Sequence, residues 1–162
     1  LKSLGLLPRP TVVAYIALGA NLGDAGASVL QAMAALGAIR GTRLVQRSAL
    51  YRTAPIDSGG PDYINAVVEL ATQLSAPELL HELQALETAA GRQRPYRNAP
   101  RTLDLDLLIF GDARIDSPAL TVPHPRMAQR AFVLLPLAQI APARVTPAQL
   151  RAVSSQTITR LA

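Results

Sequence analysis

What most limits the folds open to this chain is the order in which two hydrophobic periodicities follow one another. "TVVAYIAL", Thr11 to Leu18, is rich in β-branched residues and runs into the "GANLGD" turn, the pattern of a strand. Apolar residues at helical spacing then take over at Val29, Leu30, Met33, Ala34 and Leu36, and stop near Gly37. "RLVQRSALYRT" reads as a second strand with Leu44 and Leu50 toward the core, and "YINAVVELAT", Tyr63 to Thr72, as a third. "SAPELLHELQALETAAGR" is the clearest helix. Ser75 suits its N-cap, Pro77 and Glu78 its first turn, and Leu79, Leu80, Leu83, Leu86 and Ala90 form one apolar face ending at Gly91. "RTLDLDLLIF", Arg101 to Phe110, alternates as a fourth strand. The order β-α-β-β-α-β is that of the ferredoxin-like fold: α+β, an antiparallel-containing sheet with helices packed on it in a three-layer α-β-α arrangement.

Beyond Phe110, "GDARIDSPALTVPHPR" reads as a turn with short extended pieces and "MAQRAFVLLPLAQIAP" as a helix interrupted near Pro136. A last short helix is expected after Thr146 and Pro147. With no linker or repeat in 162 residues, residues 11–162 are expected to form a single domain and residues 1–10 a frayed N-terminal extension.

The charged residues narrow the chemistry. Fifteen of the sixteen positive side chains are Arg and the sole Lys is Lys2, which leaves no credible Lys for a Walker A loop, a protein-kinase strand or a Schiff base. The absence of Cys excludes thiol nucleophiles, Cys zinc sites and disulfides. A net charge of +5 and a pI near 10.4 point to an anionic partner, either nucleic acid or a phosphorylated small molecule. The chain has no apolar run of the roughly 18 residues a membrane span needs, and "LKSLGLLPRP" is too short and proline-broken for a signal segment. A cytoplasmic, monomeric protein without a membrane partner is expected.

In the fourth strand, residues two apart share a face. Leu103, Leu105, Leu107 and Ile109 are expected on one side, and Asp104, Asp106, Leu108 and Phe110 on the other. Asp104 and Asp106 then lie roughly 6.6 Å apart at about 3.3 Å per residue, close enough for their carboxylates to converge on metal ions. A bare D-x-D is equally a pair of solvent-facing residues. "GRQRPYRNAPR", however, places Arg92, Arg94, Arg97 and Arg101 just before them, more guanidiniums than salt bridges need. Two carboxylates, two Mg²⁺ and two Arg sum to about +4, near the charge of an ionised nucleoside triphosphate.

These residues sit in a wider pattern. "AYIALGANLGD", "YRTAPI", "PDYINAVVEL", "LETAAGRQR", "APRTLDLDLLIFGD" and "LTVPHPRMAQRAFVLLPLAQIAP" follow in an order by which the chain resembles the 6-hydroxymethyl-7,8-dihydropterin pyrophosphokinases of folate biosynthesis, over roughly residues 12 to 142. The resemblance implies Mg²⁺-dependent transfer of the β,γ-pyrophosphoryl group of ATP, the co-substrate, to the pterin hydroxymethyl group, releasing AMP without a covalent enzyme intermediate. It implies that Asp104 and Asp106 hold two Mg²⁺, and that Arg92, Arg94, Arg101, His124 and Arg130 meet the phosphates. Gln84, Glu87, Leu107 and Thr121 would lie nearer the nucleotide. For the pterin it implies Thr53, Ile56, Tyr63, Asn65 and Phe132, with Asp106 orienting the hydroxymethyl group.

On the residues alone, Gln84 and Glu87 are also ordinary exposed helix positions, His124 a turn residue and Phe132 a core residue. The chain departs from many relatives at Asn98, where they carry Trp, and at Ala54, where they carry Pro; its "RPYRNAPR" loop is one residue shorter than in some. "GANLGD" lacks both nucleotide-loop spacings and reads as structural, His81 as a surface or boundary residue, and "APIDSGGPD" as a lid. An RNA-binding module of the same strand order would need aromatics on its central strands, and the four Tyr and two Phe here form no such run. No nucleic-acid partner is therefore expected. An inactive homologue would not need the intact aspartate pair.

Overall fold

The computed structural model describes residues 9–55, 60–91 and 103–161. β1 (Val12–Ala20) is the central strand, paired on one side with β4 (Tyr63–Thr72) and on the other with β5 (Asp104–Phe110). The far edge of β4 carries two short strands, β2 (Thr42–Arg47) and β3 (Tyr51–Thr53). With β2 and β3 taken as one interrupted strand, the order is fourth, first, third, second, and every pairing is antiparallel, as the ferredoxin-like expectation requires. β6 (Ile115–Asp116) and β7 (Thr121–Val122) form a separate small hairpin, and β8 (Thr159–Arg160), which the sequence pattern did not reveal, adds to β3.

The sheet is covered on both faces. α1 (Ala25–Gly37) and α2 (Ala76–Gly91) pack on one, around Ile16, Leu18, Val68, Leu70, Leu79 and Leu83. α3 (Ala131–Ile140) and α4 (Pro147–Ala152) lie on the other, around Tyr15, Val67, Leu108, Leu134 and Leu137. The alternation of β1 and β4 feeds both cores, which explains why these strands read as nearly continuous apolar runs. Among the described residues no helix is long and apolar enough to cross a membrane.

Several expectations needed correction. The buried stripe of α1 is Val29, Ala32, Met33 and Leu36, a strict helical spacing; Leu30 is 45% exposed and Ala34 is also outside. The second strand is split because the buried Ser48 hydroxyl accepts the Val67 N–H at 3.0 Å, and Ala49 N–H then leaves the ladder for Gln139 Oε1 on α3 at 2.9 Å. Pro136 does not interrupt its helix. It is buried in the middle of α3 beside Val133, Leu134 and Leu137, and packing compensates for the missing N–H, while the chain breaks earlier, at Arg130. In β5 the alternation slips after Leu107. Ile16 pairs with Leu107 but Tyr15 pairs with Ile109, so a bulge at Leu108 turns Ile109 toward the α3 core and Phe110 toward the α1/α2 core, reversing the expected faces. Asp104 and Asp106 precede the bulge and keep their shared side.

Arg9, within the segment expected to fray, pairs with Glu78 in the first turn of α2. Ser75 caps that helix as expected: Ser75 N–H donates to Glu78 Oε1 at 2.9 Å and Glu78 N–H to Ser75 Oγ at 3.2 Å, a reciprocal capping box.

Candidate active site

A cleft of about 800 Å³ opens where α3 begins, and passes over the outer edge of β5 to α2. Its floor comes from β1 at Ala17 to Gly19, from β4 at Tyr63 and Asn65, and from β5 at Asp104 to Asp106. The register makes this one neighbourhood, because Gly19 pairs with both Asn65 and Asp104 and Ala17 pairs with Asp106.

The acidic wall is the β5 pair, with Asp104 exposed and Asp106 half-buried. Glu87 of α2 lines the same wall, and its Oε2 accepts the Leu105 N–H at 2.9 Å. Among the described residues no three His, Cys, Asp or Glu side chains gather as a metal cage. Two carboxylates nonetheless fit Mg²⁺, which prefers hard oxygen donors and usually takes one or two carboxylates, leaving its other positions to water and substrate phosphate.

The cleft also has a cationic part. His124, Arg126 and Arg130 line it, and Arg130 stands 5.4 Å over the Phe132 ring. The sequence fixes His124 between two prolines, and the fold then anchors its backbone, since His124 N–H donates to Leu108 O at 2.8 Å. Its Nδ1 accepts the Arg126 N–H at 3.1 Å, so the neutral ring carries its proton on Nε2. Burial, then the Arg130 and Arg126 charges, push the His124 pKa below its ordinary value against the opposing pull of Asp106. The ring is therefore a neutral hydrogen-bond donor at neutral pH.

At the inner end, Asn65 is only 4% exposed. Its Nδ2 donates to Thr53 Oγ1 at 2.8 Å, which orients the amide, and Oδ1 lies 3.3 Å from where a Cβ on Gly19 would stand. Tyr63 sits directly across the ladder from Thr53, and Phe132 approaches from the first turn of α3. A fixed amide flanked by two rings suits a flat heterocycle with hydrogen-bonding edges.

Of the residues anticipated from sequence, Thr53, Tyr63, Asn65, Gln84, Glu87, Asp104, Asp106, His124, Arg130 and Phe132 come together in this cleft. Leu107 does not line it: its side chain is 3% exposed, in the α1/α2 core. Thr121 is not among the lining residues either, and sits in β7. Ile56, Arg92, Arg94, Arg97, Asn98 and Arg101 lie outside the described residues, as does the centre of the "APIDSGGPD" segment. His81 is exposed on α2, as expected. The reading of "GANLGD" as structural missed Gly19, whose lack of a side chain leaves room for the Asn65 amide. Arg126 also lines the cleft, as does Leu80, which in the sequence looked like an ordinary core leucine.

A cleft that brings carboxylates and cations together, with no Lys or Cys among its described lining residues, is built to neutralise and align a polyphosphate. Its class is that of a group-transfer enzyme working by positioning and charge. The model of the family described as 7,8-dihydro-6-hydroxymethylpterin-pyrophosphokinase (HPPK) matches residues 15–142, and the chain belongs to that family. It is similar to proteins named 2-amino-4-hydroxy-6-hydroxymethyldihydropteridine pyrophosphokinase from three bacteria. The Haemophilus influenzae protein is 42% identical over 151 residues, 93% of this chain and 91% of that protein. The Synechocystis protein is 43% identical over 86% of this chain and 72% of its own length, and the Pseudomonas aeruginosa protein 46% over 79% and 80%. Among solved structures, an HPPK-DHPS in complex with substrates superposes with a TM-score of 0.65 at 13% identity, covering 82% of this chain. Wild-type Plasmodium falciparum HPPK-DHPS with SDX-DHP gives 0.61 at 16%, also covering 82%. This chain spans 40% of each of those longer chains, and at such identities the likeness speaks for the fold alone.

Proposed function

We propose that the chain transfers the pyrophosphoryl group of ATP to the hydroxymethyl oxygen of 6-hydroxymethyl-7,8-dihydropterin, a step of folate biosynthesis that releases AMP. The observation that carries this reading is the juxtaposition of two different half-sites in one cleft. The Asn65 amide, held by Thr53 between Tyr63 and Phe132, opens onto the same floor as Asp104 and Asp106.

In this reading Tyr63 and Phe132 stack on the pterin while Asn65 selects its donor and acceptor edge, with Thr53 and Ile56 beside it. His124, through its Nε2–H, and Arg130 hold the triphosphate, assisted by Arg92, Arg94 and Arg101. Gln84 lies toward the nucleoside, and Glu87 beside it on the same helix meets β5 at Leu105. Asp104 and Asp106 would hold two Mg²⁺, which would neutralise phosphate charge and favour AMP as leaving group. Asp106, at the junction of the half-sites, aims the hydroxymethyl oxygen at the β-phosphorus. A new P–O bond forms there as the bond to the α-phosphate oxygen breaks, so positioning does most of the work. Residues 11–162 are read as one domain, acting in the cytoplasm as a monomer without a nucleic acid or membrane partner.

The test is a product assay. AMP is expected in one-to-one proportion with the pterin consumed, and only with Mg²⁺ present. ADP as product, or turnover in EDTA, would overturn the assignment.

A further inference from the structure

Among the described residues β5, which carries both aspartates, is the terminal strand of the sheet. β1 pairs with one edge of it, and every second N–H of β5 points away from that partner. At Leu105, between Asp104 and Asp106, this outward N–H is taken by Glu87 Oε2 at 2.9 Å. The bond is charge-assisted, and its two ends are stiff. Leu105 is 5% exposed in the α1/α2 core, and Glu87 lies one helical turn beyond Leu83, which is fully buried in the same core.

We propose that Glu87 is a positioning residue for the aspartate pair: its carboxylate clamps the outer edge of β5 at the peptide joining Asp104 to Leu105, and so sets how the two carboxylates present themselves to Mg²⁺. This rests on the proposed pyrophosphoryl transfer. Asp104 is the first residue of β5, and two neighbouring carboxylates repel, which works against holding both on one metal-facing side. A tether from the adjacent helix opposes that repulsion. The clamp differs from a direct nucleotide contact, because it depends on the reach of the Glu87 oxygen more than on its charge.

Glu87→Gln keeps the reach and loses the charge, whereas Glu87→Asp keeps the charge and loses a methylene of reach. In the metal-free full chain, amide hydrogen exchange at Leu105 is expected to quicken at least tenfold in Glu87→Ala and Glu87→Asp, and to stay within about threefold of wild type in Glu87→Gln. In AMP formation, the Mg²⁺ concentration for half-maximal rate is expected to rise at least tenfold in Glu87→Ala and Glu87→Asp, with Glu87→Gln recovering most of that loss. Unchanged Leu105 exchange in Glu87→Asp would overturn the clamp. So would the reverse ranking, with Glu87→Asp near wild type and Glu87→Gln as impaired as Glu87→Ala, which would assign Glu87 a charge-based role at the nucleotide. If Glu87→Ala does not fold, the Gln and Asp variants decide alone. A wild-type chain that makes no AMP would defeat the proposed function, while the exchange measurement would still report on the tether.

Discussion

The two faces of the central sheet are built from the same strands and do opposite things. On the α1/α2 face, Ile16, Met33, Leu36, Leu70, Leu79 and Leu83 are fully buried, and the layer is apolar up to Thr72 at the end of β4, whose hydroxyl is hydrogen-bonded. On the other face α3 covers Val67 and Leu108 but begins only at Ala131, and beyond its first turn the strands present Asn65, Asp106 and Asp104 to a cleft. β4 shows the contrast within a single strand, with Ile64, Ala66, Val68 and Leu70 inward on one side and Asn65 among the alternating residues on the other. The site is thus a part of one face left without a helix, held rigid by the complete packing of the opposite face. Stability and activity should separate along this division.

The largest expected effect tests the division directly. Asp106→Ala should lower AMP formation by about 10³-fold, or about 4 kcal/mol of barrier, while its melting curve stays close to wild type. Leu79→Ala should do the reverse, costing about 2–5 kcal/mol of stability while the folded fraction keeps its Michaelis constants. Paired denaturation and steady-state kinetics on both variants check this, and a large stability loss in Asp106→Ala would break the comparison.

Gly19→Ala sharpens it. The added Cβ would stand 3.3 Å from Asn65 Oδ1, so the amide must yield by a few tenths of an ångström. The KM for the pterin is expected to rise about tenfold, roughly 1.4 kcal/mol, with the KM for ATP nearly unchanged. Equal effects on both would mean that the two half-sites are not separable.

The smallest effect belongs to the closed face. The Ser75 N–H and then the Arg9 guanidinium hold the Glu78 carboxyl down to about 2, against an ordinary 4.5. A folded pKa below the unfolded one means the stabilisation is present above pH 4.5 and is lost as pH falls toward 2. Glu78→Gln should therefore flatten the dependence of melting temperature on pH in that window, and leave the pH profile of AMP formation unchanged. Thermal melts from pH 2 to 7 would show it.

Much of this division was legible in the residues. The α2 face, its Ser75 cap and the order of strands and helices depend on spacing a few residues apart, which chain geometry converts into structure without help from distant segments. Asp104 and Asp106 were legible for the same reason, because residues two apart in a strand share a side. Leu30 was misplaced because an apolar residue beside a helical stripe carries no mark that its direction is off-face. Gly19 was passed over because its role is a vacancy that only Asn65, across the ladder, gives meaning to.

What the sequence determined by itself is therefore the order of the main strands and helices, the cap of α2 and the pairing of two carboxylates on one side of β5. Tertiary structure alone decided the bulge that reverses Ile109 and Phe110, the break of the second strand at Ser48, and the hold of Glu87 on Leu105. The physical reason is one of range. Periodicity and capping act within a turn or two of the chain, whereas register, bulges and the partner of an edge N–H are settled by segments that meet only after the sheet has closed around them.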